Sequence, residues 1–461
     1  MGVDIVEELR TTLGPAHVAA GGAIALDDTH DESLGDRSVL PRCVVRPQTT
    51  AEVATIVTVA ARHGCPVIAR GSGTGLSGAA VPLEDGIVVA FDRMDAIYEI
   101  DAQNQVAVVG PGVTLAQLDE ALLPHGLVYP VNPGELSASI GGNVATNAGG
   151  MRALRYGVTR QRVLGLEAVL ATGEVVRTGG KFVKSSSGYD LTQLLVGSEG
   201  TLALITEVTV RLETRLPHGA TLLAPFAALG DITTAVPDLL RSGLAPHILE
   251  YLDALTMASI VQSAGVELGI DAVVREEALA YLVVGLESTH AERLDADTEA
   301  AATALAGLGA LDVYVLPPTA AHQLIAARER AFYVAKAAGA DEIIDVVVPR
   351  AAIADYLATV GALAEANQAF VAGCGHVGDG NVHLSVFQPD GGRRTELIAA
   401  MLAAGLEAGG AISGEHGIGT AKRAYFLAFE PPARLALLQR IKAAFDPDDI
   451  LGRGRGPGPG E

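Results

Sequence analysis

Two histidines and a glutamate set among glycines are the residues best placed for chemistry in this chain. Residues 371–387 read Val-Ala-Gly-Cys-Gly-His-Val-Gly-Asp-Gly-Asn-Val-His-Leu-Ser-Val-Phe, and Gly414-Glu-His-Gly417 follows. His376, His383 and Glu415 form a ligand set suited to a divalent transition metal with one position left open. His416 stands beside them as a proton acceptor, and Asn381 supplies an amide between the two imidazoles. A lone histidine on a strand is usually a satisfied core residue. Here Gly375, Gly378 and Gly380 allow the backbone to return sharply, and Gly414, Gly417 and Gly419 make a second loop built for close approach. Such a reaction centre lacks an electron carrier.

The first half holds segments fit to supply one. Residues 4–13 read as a helix and 21–40 as a loop. Thr49 with Glu52 opens a helix that runs to about Arg62 and stops at Gly64. The strand Pro66–Arg70 then delivers the chain into Gly71-Ser-Gly-Thr-Gly-Leu-Ser-Gly78. Gly73-x-Gly75-x-x-Gly78 satisfies the dinucleotide fingerprint literally. That fingerprint needs a helix directly after the glycines, whereas Pro82 intervenes and residues 86–91 read as another strand. A strand-loop-strand remains, whose backbone N–H groups can close on a phosphate as a nest. A hairpin over 97–109 and a helix over 114–123 follow. The long run of small residues from Asn132 to Gly150 suits neither a packed helix nor a strand; it suits backbone wrapped around a flat, polar-edged ligand. A second hairpin turns at 171–173, and a strand ends near Leu212.

Beyond Pro217 the composition changes to Ala/Leu helices near 228–242, 290–307, 318–338 and 350–365. They alternate with strands near 246–251, 279–286, 311–315, 343–348 and 367–373, a pattern of α+β class with an antiparallel sheet. Residues 431–445 read as a closing helix.

The run from Val67 to Pro82, the segment from Pro133 to Gly157, Gly188-Tyr-Asp190 and Gly197-Ser-Glu-Gly-Thr201 together resemble the FAD-binding domain of the vanillyl-alcohol oxidase and p-cresol methylhydroxylase type. The second half resembles the D-lactate, glycolate and D-2-hydroxyglutarate dehydrogenase branch. The resemblance implies an α+β fold: an FAD-binding domain over 1–214, a cap domain with the metal site over 215–428, a segment packing back over 429–453 and a disordered tail over 454–461. It implies that Arg70, Gly71, Ser72, Gly73, Thr74, Gly75, Leu76 and Ser77 cradle the pyrophosphate. Pro133, Gly134, Ser139, Gly141, Gly142, Asn143, Ala145, Asn147, Gly149, Gly150, Tyr156 and Gly157 would line the flavin, and Glu199, Gly200 and Ile205 would hold the remainder. Family members with covalent flavin use a His or Cys in or near these loops. Neither occurs between Ala69 and Val81, so FAD is expected to bind non-covalently. Glu135 stands where the family has Asp, Ala203 where it has Gly, and Gly452-Arg453 where it has Asn-Pro.

The resemblance further implies zinc or manganese at His376, His383 and Glu415, with a 2-hydroxy acid as substrate. His416 would take the hydroxyl proton as hydride leaves the α-carbon, and Asn381 belongs to the same catalytic set. Arg328 would pair with the carboxylate; its alternative role is an ordinary helix-surface ion pair. Phe332 and Ile343 occupy the positions where D-2-hydroxyglutarate enzymes present a Thr and a Lys, which favours a D-lactate or glycolate type substrate over D-2-hydroxyglutarate. Quinone, cytochrome, an electron-transferring flavoprotein and oxygen are all candidate acceptors, oxygen the least favoured. A second copy of the chain is a candidate partner.

Composition sets the outer limits. With 32 Lys+Arg against 54 Asp+Glu, a net charge of −22 disfavours nucleic acid or an anionic membrane surface as partner. Three cysteines without Cys-x-x-Cys spacing fit a reduced, cytoplasmic setting, with any membrane association peripheral. The acidic start reads as a helix and not a leader, and no long charge-free apolar run reads as a membrane span. Two rivals stay open: a flavin-free metal hydrolase, though His-Glu-x-x-His and Gly-x-Ser-x-Gly are both absent, and a non-catalytic flavoprotein subunit.

Overall fold

The computed structural model describes residues 4–35 and 38–458. The first half packs a four-stranded and a five-stranded sheet around one helix, beside a small two-stranded pair. The helix Thr50–His63 starts where Thr49 Oγ1 accepts from Glu52 N at 3.2 Å, while the Glu52 carboxylate accepts from Gln48 N at 2.6 Å; it ends at left-handed Gly64. Its apolar face, Val53, Ile56, Val57 and Ala60, is fully buried against Val67, Ile87, Val169 and Leu204. Strands Cys43–Val45 and Val67–Arg70 both run parallel to Ile87–Ala90. No helix intervenes between Arg70 and Ile87, so the glycine loop crosses over as irregular backbone. The hairpin Ile97–Asp101 with Val106–Val109 joins Ala203–Arg211, Val163–Leu170 and Val175–Gly179 in a five-stranded antiparallel sheet.

The second half carries an antiparallel seven-stranded sheet. Its order is Tyr314–Val315, His218–Phe226, Ala280–Ser288, Ile248–Asp253, Phe370–Gly375, Asn381–Phe387 and Glu342–Val347. Strand periodicity sorts its two faces. Leu249, Tyr251, Ile344, Val346, Val382, Leu384 and Val386 join a core with residues of helices Leu229–Arg241, Ala291–Gly307, Ile353–Ala366 and Gly391–Glu407. The alternate positions, Glu250, Asp345, His383 and Ser385, point to the other face. There helices Ala254–Ala264 and Pro318–Glu329 pack, and the chemistry collects.

Several sequence expectations change. Ile140–Thr146 is a short helix inside the small-residue run, because Ser139 caps it through Gly142 N at 3.2 Å. The helix expected over 318–338 breaks at Arg330 into Pro318–Glu329 and Ala331–Ala337. The edge strand expected over 311–315 shrinks to Tyr314–Val315. Strand His218–Phe226 and helices Ala254–Ala264, Gly391–Glu407 and Arg423–Phe429 were not anticipated.

The chain end also departs from expectation. Residues 459–461 lie outside the described residues, but 454–458 are not a disordered tail. Arg455 is 1% exposed; its Nε donates to Ala79 O at 3.1 Å and its Nη2 to Val81 O. A guanidinium satisfied by buried carbonyls holds this Gly/Pro segment in place. Just before it, Val67 N donates to Ile450 O at 2.7 Å and Gly452 N to Val67 O at 2.9 Å, so the closing segment adds to the first sheet. Lys442 anchors it from within by donating to Thr201 O at 3.0 Å and Leu451 O at 2.8 Å.

Candidate active site

Adjacent strands of the seven-stranded sheet place an acid, an imidazole and a thiol in one row: Asp345 pairs with His383, and His383 with Cys374. His376 follows one strand end and turns its ring back toward His383, with centroids 4.9 Å apart. Glu415 comes from the loop 413–417. Its Oε1 lies 3.2 Å from His376 Nε2 and 3.3 Å from His383 Nε2. One ligand atom from each of the three residues falls within 4.8 Å of the others, so the trio expected from sequence does converge.

What stands behind the trio was not expected. Glu250 Oε1 lies 2.5 Å from His376 Nδ1, and Asp345 Oδ1 lies 3.7 Å from His383 Nδ1. Each imidazole presents its inner nitrogen to Glu415; the outer nitrogen of His376 is hydrogen-bonded to Glu250, the arrangement that orients histidine ligands, while Asp345 stands further back behind His383. Asp345 Oδ2 also accepts from the backbone N–H of Gly414, Glu415 and His416 at 3.0, 3.0 and 2.9 Å and from Ser413 Oγ at 2.9 Å. One carboxylate thus shapes the whole Glu415 loop. The available signal was a single acid inside an apolar strand, Ile248-Leu-Glu-Tyr-Leu and Ile343-Ile-Asp-Val-Val.

Electrostatics suit a cation here. Burial alone would lower His376, but Glu250 and Glu415 outweigh it and hold the imidazole well above its ordinary range. Burial raises Glu415, yet His376 and His383 pull its carboxyl down. Positive charge is favoured where the inner nitrogens meet. His416, stacked on His383 at 5.2 Å, behaves oppositely: burial lowers it to about 4, against an opposing pull from Asp345. It is neutral at pH 7, as a proton acceptor must be. Arg328 is buried with Nη2 2.8 Å from Glu250 Oε2, an ion pair that fixes the guanidinium at the cavity wall. A cation lining the cavity suits an anion bound there.

The cluster opens onto a cavity of about 540 Å³. His376, His383, Glu415, His416 and Arg328 line one end; residues 71–76, Pro133, Gly134, Ser139, Gly141, Gly142, Asn143, Ala145, Gly149, Gly150, Glu199, Gly200 and Ile205 line the rest. The glycine loop brings no side chain larger than Leu76, and Gly73 adopts φ +76°. Close backbone of this kind fits a long, flat cofactor with a diphosphate. A Cβ on Gly149 would sit 2.5 Å from Glu415 Oε2, so the cradle and the His/Glu cluster share a wall.

Six residues expected at the site lie off the cavity. Arg70 turns beneath its own loop, donating to His30 O at 2.6 Å and Asp27 Oδ2 at 2.9 Å. Ser77 donates to Gly417 O at 3.1 Å. Asn147 ends the helix Ile140–Thr146 in left-handed conformation and accepts from Arg160 N at 2.9 Å. The Tyr156 hydroxyl donates to Glu287, and Gly157 lies against Gln161. Asn381 packs on Gly414 and props that loop from behind. Glu199, though it lines the cavity, spends its carboxylate on Gly419 N at 3.0 Å and Ile418 N at 3.3 Å.

Comparison with known proteins identifies the family and the fold. Residues 41–179 match the FAD binding domain family and residues 215–455 the C-terminal domain of FAD linked oxidases. An uncharacterized FAD-linked oxidoreductase of Mycobacterium tuberculosis is 52% identical over 442 residues, 96% of either chain. A D-lactate dehydrogenase of Archaeoglobus fulgidus is 40% identical over 89% of this chain and 90% of its own. A glycolate oxidase subunit of Bacillus subtilis is 35% identical over 98% and 96%. Among solved structures, p-cresol methylhydroxylase with substrate bound superposes with a TM-score of 0.80 at 19% identity, covering 98% of this chain and 96% of that one; it shares the fold.

Proposed function

Since the chain belongs to the FAD-linked oxidases, we propose that it oxidises a D-2-hydroxy acid of the D-lactate or glycolate type to the 2-keto acid. The observation that carries this reading is the convergence of His376, His383, Glu415, His416 and Arg328 at one end of the cavity that the glycine loops line.

FAD, when bound, supplies the two-electron acceptor for the α-hydrogen, and a divalent zinc or manganese ion supplies positive charge for the substrate oxygens. Residues 71–76, 133–150 and 199–205 would hold the FAD, and these segments contain no His, Cys or Tyr that could link it covalently. His376, His383 and Glu415 would hold the ion. Arg328, held in place by Glu250, receives the substrate carboxylate, a planar fork meeting a planar anion. His416 takes the hydroxyl proton, so alcohol becomes ketone as two electrons and the α-hydrogen leave together. Asp345 keeps His416 and Glu415 on one rigid loop. Reducing equivalents then pass to an acceptor other than oxygen, a quinone, cytochrome or electron-transferring flavoprotein. Among the described residues no helix is long and apolar enough to cross a membrane.

Two features favour one carboxylate over two. Arg328 is the only Lys or Arg among the described residues lining the cavity, and Phe332 and Ile343 line it where a second carboxylate would need a cation. An anaerobic screen of D- and L-2-hydroxy acids, followed by bleaching of the flavin, tests the reading. D-acids with one carboxylate should reduce the flavin faster than D-2-hydroxyglutarate does. Bound FAD that no 2-hydroxy acid bleaches overturns the reading, and clear preference for D-2-hydroxyglutarate reverses the substrate class.

A further inference from the structure

The sheet face that presents His383 to the cavity continues past it as two rows in which Ser385 is the one polar side chain. Asn381–Phe387 is flanked by Phe370–Gly375 and Glu342–Val347, so register fixes which side chains share each level. The first row is Asp345, His383 and Cys374; the second is Ile343, Ser385 and Ala372; the third is Phe387 and Phe370. Every second- and third-row residue lines the cavity. The third row lies ~13 Å from the first, four residues of strand at about 3.3 Å each. Phe332, Leu255 and Ser259 line the same space from the helices opposite. At the far end the Phe370 and Phe387 rings stand 5.6 Å apart, and Phe370 is 49% exposed. A corridor therefore leads from the His/Glu cluster to solvent, charged at its root and mainly apolar along its length.

We propose that this corridor seats the side group of the substrate, and that D-2-hydroxy acids with long aliphatic or aromatic side groups are the preferred class. The inference rests on the 2-hydroxy acid reading of the site. With the carboxylate on Arg328 and the hydroxyl at His416, the substituent on the α-carbon has this corridor open to it. A methyl group reaches no further than the first row and leaves Ile343, Phe332 and both distal rings against water. A butyl or benzyl group covers the second row and the Phe332 ring, and the apolar area removed from water then adds to binding. A distal carboxylate would be stripped of water with no cation to meet it. Lys336, which stands 5.7 Å over the Phe332 ring, is engaged by Glu32 at 2.9 Å and does not line the cavity.

The test uses the holoenzyme under anaerobic conditions and follows flavin reduction by D-lactate, D-2-hydroxybutyrate, D-2-hydroxyhexanoate, D-3-phenyllactate and D-2-hydroxyglutarate. The apparent second-order rate constant should rise by roughly fourfold per seated methylene, placing D-2-hydroxyhexanoate at least about tenfold above D-lactate and D-2-hydroxyglutarate below both. Ala372→Leu, which fills the second row, should collapse the hexanoate to lactate ratio toward unity. A ratio that is flat or falls with chain length, while D-lactate still bleaches the flavin, overturns the corridor and leaves the 2-hydroxy acid reading intact. Failure of every acid tested overturns that reading instead. If Ala372→Leu slows reoxidation by a short-chain quinone and leaves the wild-type ratio unchanged, the corridor serves the electron acceptor and the proposal is overturned.

Discussion

Glu250 touches His376 and Arg328 at once: Oε1 lies 2.5 Å from His376 Nδ1 and Oε2 2.8 Å from Arg328 Nη2. A fully buried carboxylate therefore couples a candidate ion ligand to the candidate substrate clamp. Burial alone would raise its carboxyl, but His376 and Arg328 keep it below the ordinary range.

Glu250→Gln retains the shape and removes the charge. Ion retention should fall by about 10- to 100-fold, the usual consequence of losing a carboxylate behind a histidine ligand, and KM should rise as Arg328 loses its anchor. Metal content after dialysis, with KM and kcat measured separately, checks both. Unchanged ion retention and unchanged KM would remove Glu250 from this role.

Treating the protein with a chelator should leave the flavin colour in place while substrate reduction stops, and zinc or manganese should restore it. His383→Ala and Glu415→Ala should each lower bound metal toward zero. Full reductive activity in metal-free protein would show that the cluster is structural.

His416→Ala should slow flavin reduction by about 10²- to 10⁴-fold, the range for removal of a general base, with flavin and metal still bound. The pH dependence follows from the sign of its shift. A base acts only when deprotonated, and burial lowers His416 to about 4. The reductive rate should hold from neutral pH down to about 5 and fall as pH approaches 4. A fall centred near pH 6.5 would place a histidine of ordinary pKa in that role.

Gly149→Ala puts a Cβ 2.5 Å from Glu415 Oε2. The clash should displace Glu415 and weaken ion binding, a change that metal content reads directly. Retention at the wild-type level would mean that the shared wall yields without cost to the cluster.

Arg455→Ala strips buried carbonyls at Ala79 and Val81 of their donor. A loss of about 2–4 kcal/mol is expected from unsatisfied buried groups and lost packing, seen as a lower Tm. Ala79 and Ala80 line the cavity, so FAD should also dissociate more readily. An unaltered Tm and FAD content would return residues 454–458 to the status of a dispensable tail.

The sequence by itself determined the local features. The helix Thr50–His63 was legible because Thr49, Glu52 and Gly64 are start and stop signals read within a few residues. The ligand trio was legible because His376, His383 and Glu415 stand among glycines that admit close approach, and the cofactor loops because glycines exclude side chains. The tertiary structure alone decided which groups stand behind the trio. Glu250 meets His376 across 126 residues and Asp345 meets Glu415 across 70, contacts set by the order of strands in the sheet and by a side-chain alternation of two that a single-residue slip would invert. It likewise turned Arg70 away from the cavity and buried Arg455. A charged side chain close in sequence to a ligand loop can satisfy itself on either side of the backbone, and only packing selects the side.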